Sequence, residues 1–378
     1  MVFTYAFRSL RANLRTTIGA IVMIVASAAA ITVVLGLVEG LYSTLGETGS
    51  PQNAVILREH ALDEVSSSIP RESLGMLKAL PKIAVQGATQ LVSPEYIVPL
   101  PFHRPGGDVD TVRIRGVDPV AFTVHEGMTV TGGAMPHAAM PGLVIGARLV
   151  GRYAGFREGG TIRIGRAQWP VVGILRAPGT AFESELWCDR TALSDLTHVT
   201  SVNTVVMRLE SAADQAEVAN ALSRNLAAHL ESVPEREYYG RLLRQVGFYL
   251  KTIVFIVFLL AMGAVLAGTN SMYAMFLTRI GEIATLIAIG YTHRRVAAMM
   301  VIEALLLATF SGALGVALAM LANGHVIAFP ELTLTYTIKM SARVLVAGLA
   351  IAFSIGALSS VIVVIKTLRV RVIEGLRE

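Results

Sequence analysis

The sequence is 378 residues long, 53% of them hydrophobic, with a mean hydropathy of +0.60. These values point to a membrane chain and away from an ordinary soluble enzyme. The net charge of +5 is not a nucleic-acid signature, because the arginines gather at the ends of apolar runs without interleaved aromatics; the single cysteine, Cys188, excludes an intramolecular disulfide or a cysteine-rich zinc site.

Residues 1–16 carry Arg8, Arg11 and Arg15 and no acid, while Phe3, Phe7, Leu10 and Leu14 share one helical face. That pattern predicts an amphipathic interfacial helix with its arginines toward lipid headgroups. The run from Ile18 to Val38 is uncharged and longer than a signal-peptide core, although Ala26-Ser27-Ala28 mimics a cleavage site. Residues 17–38 therefore read as a first transmembrane helix, with a signal peptide as the competing reading.

Residues 39–244 have the composition of a globular extracytoplasmic domain with stalk ends. Ala54–Leu57, Val112–Ile114, Thr161–Ile164, Pro170–Leu175 and Val202–Leu209 read as strands rich in β-branched residues. Pro70–Leu80 and Ala212–Leu230 read as helices. Gly159-Gly160 and the stretch Gly165 to Pro170 look like hairpin connections, and the whole reads as α+β. Glu235–Lys251, with Leu242, Leu243, Val246 and Tyr249 on one stripe, is expected to run straight into the next span as a stiff lever.

Thr252–Thr278 is uncharged, Val296–Gly324 is apolar apart from Glu303, and Val344–Ile365 is uncharged. Crossing ~30 Å of hydrocarbon takes about 20 apolar helical residues, so each run is long enough. The expected layout is transmembrane helices at 245–278, 296–324 and 341–365, a cytoplasmic coupling turn at 279–295, a short extracytoplasmic loop at 325–340 and a cytoplasmic tail at 366–378. Basic residues cluster in the N-terminal segment, in the turn and in the tail, whereas 325–340 holds only Lys339. The positive-inside rule then places both termini in the cytoplasm.

Several absences narrow the function. No Gly-Lys dipeptide occurs, so the chain has no Walker A loop. The eight histidines form no H-E-x-x-H pattern, and there is no G-x-S-x-G elbow; each lone histidine reads as solvated or structurally satisfied. Catalytic, cofactor and metal residues are expected to be none. Glu303 is the one acid inside a span, placed to reach the interface or to pair with Arg294 or Arg295; an anchor, a coupling role and a proton relay all remain open for it. Gly312, Gly315, Gly263, Gly268, Gly348 and Gly356 suit close helix packing within the subunit, and none of the spans is polar enough to line a wet channel. Met128, Met135 and Met140 with Pro101–Gly107 suit loop or core packing better than a lip for cargo.

The turn RIGEIATLIAIGYTHRR (Arg279 to Arg295) carries a short helix, closed by Gly290, of a kind suited to receiving a push from another protein. Here the chain resembles the MacB/FtsX-type permeases of ABC systems, the mechanotransmission group that includes the LolC and LolE proteins. The family pattern R-T-R-E-I-G-L-L-R-A-L-G-A-T is matched by Arg279, Glu282, Ile283, Leu286, Ala288, Gly290 and Thr292, with Gly281 and Ile287 where the family has arginines. VIEALLLATFSGALG (Val301 to Gly315), VRIRGVDPVAF (Val112 to Phe122), GTIRIGRAQWPVVGIL (Gly160 to Leu175) and VRVIEGLRE (Val370 to Glu378) are similar to further family segments, in order and in register.

The resemblance implies four transmembrane helices with a MacB-like periplasmic core between spans 1 and 2. It implies an ATPase-coupling set of Arg279, Glu282, Ile283, Leu286, Ala288 and Gly290, and it favours an anchor or coupling role for Glu303. No cofactor is expected on this chain, ATP and Mg being held by the partner ATPase. Expected partners are cytoplasmic ABC ATPase subunits of the MacB or LolD kind, a second permease copy as a homodimer, and a periplasmic adaptor, in the bacterial inner membrane. The leading expectation is export from the periplasm or outer leaflet; the competing ones are an FtsX-like platform activating a cell-wall hydrolase and LolC/LolE-like extraction of lipoproteins or lipids.

Overall fold

The structure, a computed structural model, describes residues 14–133, 136, 142–224, 229–329 and 332–368. Met135, Met140, most of the expected interfacial helix and the tail from 369 lie outside the described residues. The chain forms two compact units, one within Met1–Gly40, Phe248–His325 and Thr337–Glu378, the other within Leu41–Gly247 and Val326–Tyr336.

In chain order the described elements are α1 (Leu14–Glu47), β1 (Asn53–Arg58), α2 (Ser73–Lys78), β2 (Val85–Gln86), β3 (Thr89–Gln90), β4 (Val92–His103), β5 (Val109–Val117) and α3 (Ala121–Val124). There follow β6 (Thr129–Thr131), β7 (Leu143–Gly146), β8 (Thr161–Ile164), β9 (Ala167–Arg176), β10 (Glu185–Asp189), α4 (Arg190–Thr197), β11 (Thr204–Arg208), α5 (Gln215–Ser223) and β12 (Leu230–Pro234). The last are α6 (Glu235–Gln245), α7 (Gly247–Leu277), α8 (Ile280–Ala288), α9 (His293–Ala319), β13 (Val326–Phe329), β14 (Leu334–Thr337) and α10 (Ala342–Leu368).

The unit between the first and second long helices is built on one sheet in the order β12-β1-β11-β4-β5-β10-β7-β9-β6, with β8 also on β9. Most neighbours are antiparallel; β5 with β10 and β7 with β9 are parallel. β4 is long enough to serve two partners: Val92–Glu95 pairs β11 and Tyr96–His103 pairs β5. Two apolar cores result. One gathers Ile56, Leu77, Val205, Met207, Val218 and Leu222 under α2 and α5, and the other gathers Ile114, Ile145, Phe156, Trp169 and Leu186. Cys188 sits on β10 and is 1% exposed, so it packs as a small apolar residue.

All five expected strands are present. Among the missed ones, β4, β10 and β12 carry prolines or charges that weaken the alternating signal, such as Pro94 and Glu95 in β4, while β7 is an apolar run of only four residues. The helix expected over Ala212–Leu230 is corrected: α5 ends at Ser223, and Leu230 begins β12. The hairpin turn is Gly165-Arg166 between β8 and β9, with Gly165 at a φ of +61°; Gly159-Gly160 only leads into β8. Met128 is buried and Phe102 packs against the second core.

Among the described residues four helical stretches are long and apolar enough to cross a membrane: Ile21–Glu47, Gly247–Leu277, His293–Ala322 and Ala342–Leu368. In this unit small residues set the helix spacing. A Cβ on Gly312 would meet Ala352 Cβ at 2.6 Å, and one on Gly356 would meet Ala308 Cβ at 2.2 Å. Helices α9 and α10 thus mesh glycine against alanine twice, two turns of close approach that any side chain would open. Gly263, by contrast, faces open space. Helix α7 keeps Val254, Phe255, Phe258, Leu259, Leu266 and others exposed. The expected continuous lever is also corrected: α6 stops at Gln245 and α7 begins at Gly247, with Val246 between them.

Candidate functional site

Helix α8 forms because Glu282, Ile283, Leu286 and Ile287 recur at helical spacing between two long apolar helices. Its C-terminus is fixed by geometry. The Tyr291 N–H donates to the Leu286 carbonyl (3.1 Å) and the Gly290 N–H to that of Ile287 (3.0 Å). This is a Schellman closure, and Gly290 supplies its left-handed residue at a φ of +106°. The sequence expectation that Gly290 ends this helix is met.

The helix is amphipathic. Ile283 and Ala284 are buried, with Leu286 and Ile287 packed against a core of Met272, Phe276, Val296, Ala304 and Val363. Glu282, Thr285, Ala288, Ile289, Gly290 and Tyr291 are exposed, Ile289 to 72%. Among the residues singled out in sequence, Glu282, Ala288 and Gly290 therefore lie on the open face, Leu286 is half-buried, and Ile283 and Arg279 are inside. Ile289, an apolar residue, stands on the open side one position beyond the last residue of α8.

Arg279 precedes the helix and is only 4% exposed. Its Nη1 donates to both oxygens of Glu303, at 3.1 and 2.9 Å, and its Nε donates to Glu282 Oε2 at 3.3 Å. The expected partners of Glu303, Arg294 and Arg295, are exposed instead, so this expectation is corrected. Glu303 lies on the face of α9 that packs inward, whereas the two arginines begin that helix on its outer side. With one guanidinium nitrogen bridging both carboxylate oxygens, the two charges answer each other away from water. It pins the start of α8 to α9, and a cavity of about 20 Å³ beside it, lined by Met272, Met275, Met300 and Ser360, has room for a single water.

A second charged centre, missed in the sequence, lies inside the sheet unit. Arg115 of β5 is fully buried and donates to three carboxylates: Glu185 at 2.6 Å, Glu64 at 3.0 Å and Glu95 at 2.5 Å. Its guanidinium also stacks over Trp187 (5.4 Å) and Phe182 (5.8 Å). His125 Nε2 lies 2.8 Å from Glu95, and its Nδ1 lies 3.3 Å from Glu235 at the start of α6. Glu235 in turn accepts from Asn53 Nδ2 (2.9 Å) and the Ser50 N–H (2.8 Å). The centre thus joins β1, β4, β5, β10 and the root of α6. Glu95 stands where β4 changes partner, so one side chain marks the seam between the two halves of the sheet.

Burial opposes the charge on every member. At His125 it is outweighed by Glu95 and Glu235, which raise the pKa to about 10. At Glu95 it is outweighed by His125 and Arg115, which hold the carboxyl at about 2. At Glu64 burial prevails over Arg115 and the pKa rises. Such a centre is a framework of mutually satisfied charges. Among the described residues no three His, Cys, Asp or Glu side chains are grouped to hold a metal ion.

With this geometry in place, the comparisons are decisive at the level of family. The MacB-like periplasmic core domain model matches residues 17–225, and the FtsX-like permease C-terminal model matches residues 254–372. The chain is an ABC-type permease of the MacB/FtsX family. Membership makes the permease a multi-pass inner-membrane protein and a transmembrane subunit that works with ABC ATPase subunits. No curated protein matches it. Among solved structures it is similar to the periplasmic region of MacB from Actinobacillus actinomycetemcomitans, at 12% identity and a TM-score of 0.39, covering 53% of this chain and 97% of that one. It is also similar to the extracellular domain of the noncanonic ABC-type transporter YknZ from Gram-positive bacteria, at 13% identity and a TM-score of 0.35, covering 48% and 99%.

Proposed function

We propose that the permease converts closure of separate ATPase subunits into movement of its sheet unit, expelling or extracting a substrate from the periplasm or outer leaflet. One observation carries this reading: α8 is a closed amphipathic helix whose inner face is locked into the membrane unit while Glu282, Thr285, Ala288 and Ile289 remain open. An exposed apolar side chain and a carboxylate on the open face of a packed helix are what a protein partner can grip and push. Arg279 then acts from inside, passing any displacement of α8 to α9 through Glu303.

In this reading α8 and both termini face the cytoplasm, an orientation that the clustered basic residues support. Two ATPase subunits holding ATP and Mg dock there, a second permease copy completes the complex, and an adaptor joins on the opposite side. The test uses the full chain assembled with its ATPase. Glu282→Ala, and separately Ile289→Asp, are expected to cut ATPase stimulation at least tenfold while leaving membrane insertion and the melting temperature unchanged. Full stimulation by both variants would refute the docking role of this face.

A further inference from the structure

The loop between α9 and α10 reads in the sequence as a plain connection, but Val326–Tyr336 belongs to the sheet unit. It holds the strands β13 and β14, which among the described residues pair with each other in a sheet of two strands. A two-stranded hairpin of this size is marginal on its own in water, so its order comes from what holds it. Four donors of the sheet unit do so. The Thr335 carbonyl accepts from Ser184 Oγ at 2.6 Å and from Arg148 Nη1 at 3.1 Å. Arg152 Nη1 donates to the Val326 carbonyl at 3.1 Å, and Arg113 Nε to Thr333 Oγ1 at 2.5 Å.

These arginines are themselves fixed. Arg113 lies 3.8 Å from both Asp63 and Glu64, beside the Arg115 centre, and Arg148 lies 3.4 Å from Glu183. The hairpin also arrives where the other chain entries meet. A gap of about 10 Å³, too small for more than one water, is lined together by Leu45 at the end of α1, Tyr239 and Leu242 of α6, Leu332 and Leu334 of the hairpin, and Arg113. Leu45, Tyr239, Leu242, Leu332 and Leu334 are all buried. The end of α1, the helix α6 and the β14 side of the hairpin thus meet at one packed hub within the sheet unit.

We infer that this hairpin is a third mechanical connection, clamped by Arg113, Arg148 and Arg152, through which displacement of α9 and α10 reaches the sheet unit alongside α1 and α6. The inference rests on the force-transmission reading above and names an element and residues that reading does not use. The arginines are positioning residues: they touch no substrate and act by holding the hairpin's backbone.

The test is hydrogen exchange on the full chain complexed with its ATPase in nanodiscs, with and without ATP. In one variant, four Gly-Ser residues are inserted after His325 and again after Thr337, outside both strands, which keeps the clamp but slackens the connection. The nucleotide-dependent exchange change in the sheet unit is expected to fall at least twofold while ATPase stimulation persists. An undiminished change would overturn the inference and leave the proposed function standing. In a second variant, Arg148→Met with Arg152→Met, amides of Leu334–Thr337 are expected to exchange at least tenfold faster while β1 and β11 stay protected; unchanged exchange would also overturn it. If the unmodified complex shows no nucleotide response in the sheet unit, the proposed function fails and takes this inference with it, an outcome distinct from the other two.

Discussion

Arg115 and Arg279 are both buried and both answered by carboxylates, yet they sit in different kinds of setting. Arg115 is surrounded by Glu64, Glu95 and Glu185 on separate elements, with two aromatic rings beneath it. Arg279 is joined to Glu303 on one helix and to Glu282 on its own turn. The first arrangement has so many fixed partners that no single element can shift without breaking several bonds. The second is a joint between two elements, strong along one direction and open on the side of Glu282. A framework and a hinge can thus be made from the same ion pair by changing how many elements converge on it.

The largest way to break this contrast is at Arg115. Arg115→Met leaves buried carboxylates without their cation, and removing one partner of a buried pair costs about 3–5 kcal/mol. The chain's two tryptophans, Trp169 and Trp187, both lie in the sheet unit, so tryptophan fluorescence in detergent reports this unit's unfolding alone. The expected result is a large fall in its midpoint, and an unchanged midpoint would mean the centre is no framework.

Next in size is Glu303→Gln. It keeps the shape but removes the charge opposite Arg279, a loss of about 1.5–3 kcal/mol for a charged hydrogen bond. The tryptophan transition should stay where it is, while circular dichroism shows the helical unit melting earlier and ATPase stimulation falls.

The pH dependence separates the two regions further, because only the Arg115 centre contains a histidine. The folded pKa of His125 is raised to about 10 from 6.5, so its contribution is full below pH 6.5 and is lost as pH rises toward 10. Glu95, lowered to about 2 from 4.5, contributes above pH 4.5 and loses that as pH falls, while Glu64, shifted upward, works against it on the acid side. The clean signal is therefore alkaline. The sheet unit's melting temperature should drop between pH 6.5 and 10, and His125→Gln should flatten that slope.

The smallest effect is expected at Gly290. Alanine at a φ of +106° is strained by about 1–2 kcal/mol, enough to fray the end of α8. Amides of Ile287–Tyr291 should exchange faster in Gly290→Ala with no change in either unit's melting.

Much of the layout was legible because hydropathy acts over long, uninterrupted runs. The four apolar helices and the β-branched strands announce themselves, and Gly290 marks a helix end by backbone chemistry alone. What the sequence hid was pairing at a distance. Glu303 looked toward its nearest arginines in sequence, but side-chain direction around α9 sends it to Arg279. Arg113 and Arg115 alternate with Val112 and Ile114 along β5, and the alternation alone does not show that both faces of the sheet are covered there and both arginines are inside. β4 was lost because Pro94 and Glu95 look like strand breakers; they stand at its seam. Residues 325–340 offered too short a stretch to suggest that β13 and β14 would be adopted by another part of the chain.

Cys188 has one more consequence. Its thiol is sealed within β10, and burial, with Asp189 beside it, pushes the pKa up, so the reactive thiolate is scarce. The permease is therefore silent toward maleimides in its native form. A cysteine introduced at 100 or at 285 would report which side of the bilayer it occupies, free of any background that had first to be engineered away.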